Sequence, residues 1–383
     1  MREKWMVAIL SACLLLSGCT GLKDIQDLNY IVAIGMDYDE KKGEYITYLQ
    51  SLNFAEVAKQ EGGRPTGPIP AFVAKAKGKT LNLAVSHLYK KSEPPLFFGH
   101  VITFVISNHL VDHKFREVVE EIERNKSLRH TMRIVIAEDP IQDVFQAKAL
   151  FDYPAPYTVM FRKGGNRAYL DSLKPMLALQ FLREYFEPMG VAKIPMVKID
   201  HNTWKAEKKY PVLFFNGWAV FQNRKHIANL PFKDSLYMEW LTEKKNSVEE
   251  EVNEHEKLLA AVKLDSPKMK VKYMKGTASP VFSVELSVKG DLLEKIEDVS
   301  ITKLNRIIAA DTKKKVAALY KEGIQQQADL LNVGKKWYRR HPKSFHELEK
   351  SGTFYLDESS LKSIKVKAEI SHFNTYKYYK REE

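Results

Sequence analysis

Leu96-Phe97-Phe98-Gly99-His100-Val101-Ile102-Thr103-Phe104-Val105-Ile106 is the most apolar stretch of the chain beyond its N-terminal segment. It lacks the polar alternation of a half-solvated strand and is rich in aromatic and β-branched residues. It therefore reads as one central strand buried on both faces. Downstream, Phe115, Val118, Val119 and Ile122 recur at helical spacing in a charged segment. Met132–Ala137 then reads as a strand, and Asp139-Pro140 opens a short helix through Phe145. Strand, helix, strand, helix at this rhythm predicts helices layered on a sheet.

Upstream, Ile31–Asp37 and Glu44–Leu52 form a hairpin around the turn 38–43. Glu61–Pro70, with three glycines and three prolines, is a loop. Ala71–Ala76 is a brief strand, and Thr80 is placed to cap a helix bearing Leu81, Ala84, Val85 and Leu88, which Pro94-Pro95 stops. Beyond the central stretch, Ala168–Phe186 is expected to be helical and Ile194–Ile199 extended. The polar run Asn202–Tyr210 is the expected domain boundary.

The second half opens with a hairpin, Val212–Phe221 and Ile227–Leu230, followed by a helix capped by Asp234 and running through Leu241. Glu249–Glu256 reads as a charged connector, and Met269–Lys275 and Val281–Lys289 as strands. Thr302–Leu331 is a long amphipathic helix with a weak point at Gly323, Lys335–Lys350 a helix interrupted near Pro342, and Lys365–Ile370 a late strand. The expected fold is α+β, with mixed or antiparallel sheets packed against helices in two to three domains. The divisions are residues 1–18, 19–205 and 206–383.

The N-terminal segment sets the setting. After Met1-Arg2-Glu3-Lys4, residues Trp5–Leu16 carry no charge, and Leu16-Ser17-Gly18-Cys19 follows. Twelve helical residues span roughly 18 Å, short of a ~30 Å hydrocarbon core. A charged start, a short apolar core and small residues make a signal peptide. Its ending resembles a bacterial lipobox, in which the cysteine receives a diacylglycerol and the chain is cut before it. The competing readings are an ordinary signal peptide and a buried N-terminal helix. Cys13 leaves with the signal and Cys19 carries lipid, so the two cysteines of the chain supply no disulfide and no thiolate metal site. Stability must come from an ordinary core, which 44% hydrophobic and 11% aromatic residues allow. Behind a signal, the natural counterpart of a net charge of +12 is an anionic lipid surface, not nucleic acid.

Motifs for chemistry are weak. His109 and His113 stand at i, i+4 without the glutamate of a metalloprotease helix or a third ligand, so they read as surface histidines. His346-Glu347 lacks the second histidine of such a motif. Lys77-Gly78-Lys79-Thr80 ends like a phosphate loop, but Val73 replaces its first glycine. Glu138 and Asp139 read as structural or solvated carboxylates, and Trp218 and Trp240 as core. No catalytic residue, metal site or cofactor is expected, and no ligand-binding residue can be named.

The order of several short motifs nevertheless resembles the C-subunit lipoproteins of spore germinant receptors, the GerAC type. Those motifs are Gly35-Met36-Asp37 closing the first strand, Phe97-Phe98-Gly99-His100 and Leu128-Arg129-His130-Thr131-Met132-Arg133 in the middle, Asn216–Phe221, and Asp329-Leu330-Leu331-Asn332-Val333-Gly334 before His341-Pro342. Thr20 stands where the family usually has Trp after the lipid cysteine, and Phe345 and Phe354 replace two late tryptophans. The resemblance implies a non-enzymatic subunit attached through Cys19 to the outer face of the spore inner membrane. It implies two integral-membrane partners, A and B type, in a nutrient-sensing receptor. Two other classes remain open, a lipid-anchored solute-binding protein serving a transporter and an anchored enzyme.

Overall fold

A computed structural model describes residues 28–52, 70–162, 173–244, 246–351 and 354–373. The signal segment, Cys19, most of the loop Glu61–Pro70 and the start of the helix expected at Ala168 lie outside the described residues. The fold is mixed α+β, built on two sheets.

The first half supplies β1 (Asn29–Asp39), β2 (Glu44–Leu52), β3 (Phe72–Gly78), α1 (Leu81–Tyr89), β4 (Leu96–Phe97), β5 (Thr103–Ser107), α2 (Asn108–Arg124), β6 (Arg133–Ala137) and α3 (Ile141–Gln146). Three short 3-10 turns between Leu150 and Phe161 lead towards β7 (Met176–Leu177), α4 (Ala178–Phe186), β8 (Val191–Lys205), β9 (Lys209–Gln222) and β10 (Lys225–Pro231). These strands form one sheet in the order β10-β9-β8-β6-β5-β1-β2-β3, with β4 on β1 and β7 on β6. Strands β1, β5, β6 and β8 run parallel, and the hairpin partners on either side run antiparallel.

Period-2 alternation divides the central strands between two cores. Ile34, Phe104, Ile106, Ile134, Ile136, Ala219 and Phe221 face α2 and α4, meeting Leu110, Phe115, Val118, Phe181 and Tyr185. Val105, Val135, Trp218 and Val220 face the opposite way, into a cluster shared with the second sheet. Thr80 caps α1 by accepting from Leu83 N–H at 3.2 Å. Ser107 caps α2 by accepting from Leu110 N–H at 3.1 Å and donates to Asp37 Oδ1 at 2.5 Å, tying the end of β1 to the helix start.

The second half contributes α5 (Phe232–Thr242), β11 (Ser247–Glu254), β12 (Lys257–Asp265), β13 (Lys268–Tyr273), β14 (Phe282–Lys295), α6 (Ile301–Gln326), α7 (Gly334–Tyr338), α8 (Pro342–Ser351) and β15 (Leu361–Phe373). The sheet order is β11-β12-β14-β13, with β15 parallel to β14. Phe282, Val284, Leu286, Val288 and Leu292 of β14 are buried in the same cluster as Leu304, Ile308, Val316 and Leu319 of α6.

Several expectations change. The stretch 96–106 is not one strand. After β4 the chain turns at Gly99-His100, with Val101 N–H bonded to Phe98 O; it rejoins the sheet at Ile102, which bonds Val32 O and Arg133 N–H, and β5 follows from Thr103. Phe97 is 36% exposed, whereas Phe104, Val105 and Ile106 are fully buried. Residues 173–177 are not helical, because Met176-Leu177 pairs with β6 and α4 begins at Ala178. Asp234 lies in the first turn of α5, whose cap position is Pro231. Glu249–Glu254 belongs to a strand in which Val248 and Val252 are buried, Glu249 and Glu251 are exposed, and Glu250 shares the valines' face and pairs with Lys315 at 2.7 Å.

The long helix ends at Gln326, where Gln327 takes a left-handed conformation (φ 55°) and Ala328 N–H closes on Gly323 O at 2.8 Å. A Cβ on Gly323 would lie 2.5 Å from Ala328 O, so the glycine shapes the helix end. The boundary expected at 205/206 falls between β8 and β9, two paired strands of the first sheet, and the strands of the second sheet begin at Ser247.

Among the glycines of the described residues, Gly217 makes the closest approach. A Cβ there would lie 2.0 Å from Leu230 O of the paired β10 and 3.0 Å from Met196 Cε. Gly217→Ala should therefore lower stability by about 2–3 kcal/mol, the size of an overpacking strain that must move backbone. Urea unfolding of wild type and variant measures it.

Candidate functional site

The two sheets meet at a buried polar knot. Gln222 ends β9, Asp329 follows the close of α6, and Tyr355 follows α8; all three are buried. Gln222 Nε2 donates to Tyr355 Oη at 2.6 Å, and its Oε1 accepts from Asp329 N–H at 2.8 Å. Tyr355 Oη–H donates to Asp329 Oδ2 at 3.0 Å, and the same oxygen accepts from Gly334 N–H at 2.6 Å. Both ends of the Gln222 amide are thus used, one on a side chain and one on a main chain of the other half.

Gly334 fits because a Cβ would lie 2.5 Å from the Tyr355 ring. Tyr273 Oη–H donates to Val333 O at 2.6 Å and holds the same loop from β13. Burial raises the Asp329 carboxyl above its ordinary 3.8, with the bond from Gly334 N–H opposing it. Burial, and next the Asp329 charge, raise Tyr355 well above 10. The sequence Asp329–Gly334 is therefore a joint between sheets.

Beside the joint lies a cavity of about 420 Å³, bordered by α4, β8, β9 and α5, with Asn332 of the joint in its wall. Its chemistry is amphoteric. Glu239 of α5 is 1% exposed. Its Oε2 accepts from Lys174 N–H at 3.4 Å, and its Oε1 stands 3.7 Å from Lys174 Nζ. Burial raises the Glu239 carboxyl above 4.5, opposed by the charges of Lys193 and then Lys174. Lys193, itself buried, pairs with Glu243 at 3.4 Å and lies 4.8 Å from the centre of the Trp218 ring. Arg133 Nε–H donates to Arg162 O at 2.7 Å, and burial lowers its pKa. Glu239 Oε1 and Trp218 Nε1 are buried without a hydrogen-bond partner among the described residues. Hydrogen bonding and charge pairing on a partly apolar floor suit a small polar molecule or ordered water.

The residues singled out by sequence are dispersed. Cys19 lies outside the described residues. His109 and His113 pack edge to face with ring centres 6.0 Å apart, and His113 Nδ1 meets His109 O at 2.8 Å. His346 lies 3.5 Å from Glu349. Gly78 sits where a Cβ would strike Ala84 N at 2.4 Å, so Lys77–Thr80 is a strand-to-helix turn. Glu138 accepts from Asn216 Nδ2 at 2.8 Å and Asp139 from Ile199 N–H at 2.7 Å, each tying β6 to the neighbouring strands. Trp240 is core, donating from Nε1 to Asp265 O at 2.9 Å and so joining α5 to β12. Trp218 is equally buried but forms cavity wall. Sequence reading missed Gln222, Tyr355, Lys193 and Glu239. Only Glu239, a carboxylate set between Met238 and Trp240 on an apolar helix face, left a local signal.

Comparison with known proteins matches this architecture. Residues 21–199 match the family model of the spore germination protein N-terminal domain, and residues 216–374 that of the spore germination B3/GerAC-like C-terminal domain. Spore germination protein KC of Bacillus subtilis (strain 168) is 29% identical over 142 residues, covering 36% of this chain and 34% of that protein. Putative spore germination protein YfkR of the same organism is 23% identical over 213 residues, covering 55% and 53%. The matched region is therefore about half or less of those relatives' length. The crystal structure of the GerBC protein superposes with a TM-score of 0.52 at 16% identity, covering 90% of this chain and 99% of that one.

Two measurements probe the site. Asp329→Ala leaves Gly334 N–H and Tyr355 Oη–H without their acceptor and should cost about 2–4 kcal/mol in urea unfolding. Asp329→Asn keeps an acceptor oxygen and should cost clearly less. Glu239 has a folded pKa above its unfolded value, so its contribution to stability is full below pH 4.5 and falls as pH rises through the folded pKa. Glu239→Gln should thus gain in melting temperature relative to wild type as pH climbs above 4.5. A gap that stays constant with pH would contradict that assignment.

Proposed function

The chain belongs to the GerAC-type family of spore germination proteins, and on that premise we propose that it is a lipid-anchored, non-enzymatic subunit of a nutrient germinant receptor. It stands on the outer face of the spore inner membrane, held by acylated Cys19, beside two integral-membrane subunits of A and B type. The observation that carries this reading is the succession of N- and C-terminal family matches over residues 21–199 and 216–374. They begin within two residues of Cys19 in Leu16-Ser17-Gly18-Cys19.

Among the described residues no helix is long and apolar enough to cross a membrane, in keeping with attachment through lipid. Two acyl chains give a durable anchor where one would hold only marginally. Confinement to the plane of the partners raises their effective concentration without a strong interface. The cavity offers charge pairing and hydrogen bonds, and the proposed contribution is assembly and coupling rather than bond chemistry. A solute-binding protein that closes about a hinge is disfavoured by the buried Gln222–Asp329–Tyr355 knot, which opening would have to break.

Affinity purification of the lipidated protein from spore inner membranes tests the proposal. It should bring down two multi-span subunits, and Cys19→Ala should abolish lipid labelling and leave an unprocessed precursor. Recovery alone, or with a transporter unrelated to germination, would overturn the receptor reading. Persistent lipid labelling of Cys19→Ala would overturn the anchor.

A further inference from the structure

The parallel run of β1, β5 and β6 gathers the segments that lead into these strands at one end of the large sheet. The first residue of β1 is fixed there. Asn29 N–H donates to Pro95 O at 2.9 Å, and its side chain reaches Ser92 Oγ at 3.4 Å. The chain arriving from Cys19 thus joins the folded body against residues 92–95. Ten residue steps lead from Cys19 to Asn29, a reach of roughly 33–36 Å when extended.

The side chains around that point share a character. The end of α1 presents Tyr89, 53% exposed, and then Lys90 and Lys91. Phe97 of β4, also exposed, meets Tyr30 edge-on with ring centres 5.5 Å apart. The turn between α2 and β6 buries Leu128 while exposing Lys126 and Arg129. Among the described residues no ion pair involves Lys90, Lys91, Lys126 or Arg129. The exposed acids nearby are Glu93 and Glu123, and Glu121 is neutralised by Arg124 at 2.6 Å. At the opposite end of the same strands acids and bases are interleaved and paired, Asp39 with Lys77 at 3.3 Å, Glu44 with Lys79 at 3.6 Å and Glu40 with His113 at 3.4 Å, so what sets the first end apart is the tether.

We propose that this end of the sheet rests on an anionic lipid surface, with Lys90, Lys91, Lys126 and Arg129 on the headgroups and Tyr89 and Phe97 at the interface between them. The inference rests on the anchor reading above and adds an orientation to it. Basic clusters are drawn to anionic leaflets within a Debye length, about 8 Å at physiological salt. A tyrosine, with one polar and one apolar end, settles at headgroup depth, and a phenylalanine beside it adds apolar contact at the acyl boundary. The tether, with a reach of roughly 33–36 Å, lets this end come down to the surface and leaves the far end for partners.

The experiment uses the lipidated mature protein in vesicles of phosphatidylcholine, with and without phosphatidylglycerol. Because Cys19 carries lipid and Cys13 leaves with the signal, one introduced cysteine takes a polarity-sensitive fluorophore uniquely. Lys91→Cys reports the basic end, and Glu207→Cys, on the exposed turn between β8 and β9, reports the other. The probe at 91 should shift to the blue and be quenched by a lipid-borne quencher several-fold more than the probe at 207, and more strongly with phosphatidylglycerol. Replacing Lys90, Lys126 and Arg129 by Gln in the position-91 reporter should remove the phosphatidylglycerol dependence while flotation with neutral vesicles persists.

Equal quenching at 91 and 207, or indifference to phosphatidylglycerol, would overturn the orientation and leave the basic end to an acidic protein partner. Failure to float on neutral vesicles would refute the anchor instead, and a phosphatidylglycerol-dependent shift at 91 would still establish the basic lipid-facing end.

Discussion

The buried amide of Gln222 ties one sheet to the other, alongside the Lys335–Glu184 and Arg339–Glu187 ion pairs and the Trp240–Asp265 hydrogen bond. Gln222 is the last residue of a strand whose preceding residues are apolar, and it is satisfied only by Tyr355 and by the main chain of Asp329. A buried amide without partners costs on the order of 1–3 kcal/mol, so the second half must present its loop in register with β9. That demand propagates. Asp329 must hold Gly334 N–H, α6 must stop at Gln326, and Gly323 must let the chain fold back on the helix end. Hydrophobic packing follows the same seam. One continuous cluster runs from Val105 and Val135 through Trp218 and Trp240 to Val284 and Ile370.

The seam also places the chemistry. The cavity lies where α4 and α5 approach it, and Asn332 in its wall belongs to the same loop that Asp329 and Gly334 brace. The opposite consequence of the topology is spatial separation. Parallel strands put the end that receives the N-terminal segment at Asn29 and the end at Asp39 and Glu138 on opposite sides of the sheet.

Much of the fold was legible because burial on a sheet leaves a periodic signature. Thr103–Ile106, Met132–Ala137, the helix face Phe115–Ile122 and the hairpin at Val212–Leu230 all lie where pattern places them. The failures have physical causes. In Ser247–Glu254 the period-2 signal rests on two valines among four glutamates, and charge concealed it. In 96–106 apolar residues on both sides concealed a turn, since only the pair Gly99-His100 marks the break in the run. Gly323 reads locally as a helix weakener, yet its use is a close approach to Ala328 O. The joint left almost no signal, because Gln222 and Tyr355 are 133 positions apart and each is ordinary in its own context. The motif Asp329–Gly334 was visible as a motif, but its work is seen only in three dimensions.

The central structural claim is that the two sheets form one cooperative body around that joint. Differential scanning calorimetry of the mature protein, comparing calorimetric with van't Hoff enthalpy, tests it most directly. The account predicts a single transition in which the two enthalpies agree. Two resolved transitions, or a van't Hoff enthalpy well below the calorimetric one, would show that the sheets unfold independently and that the joint does not unite them.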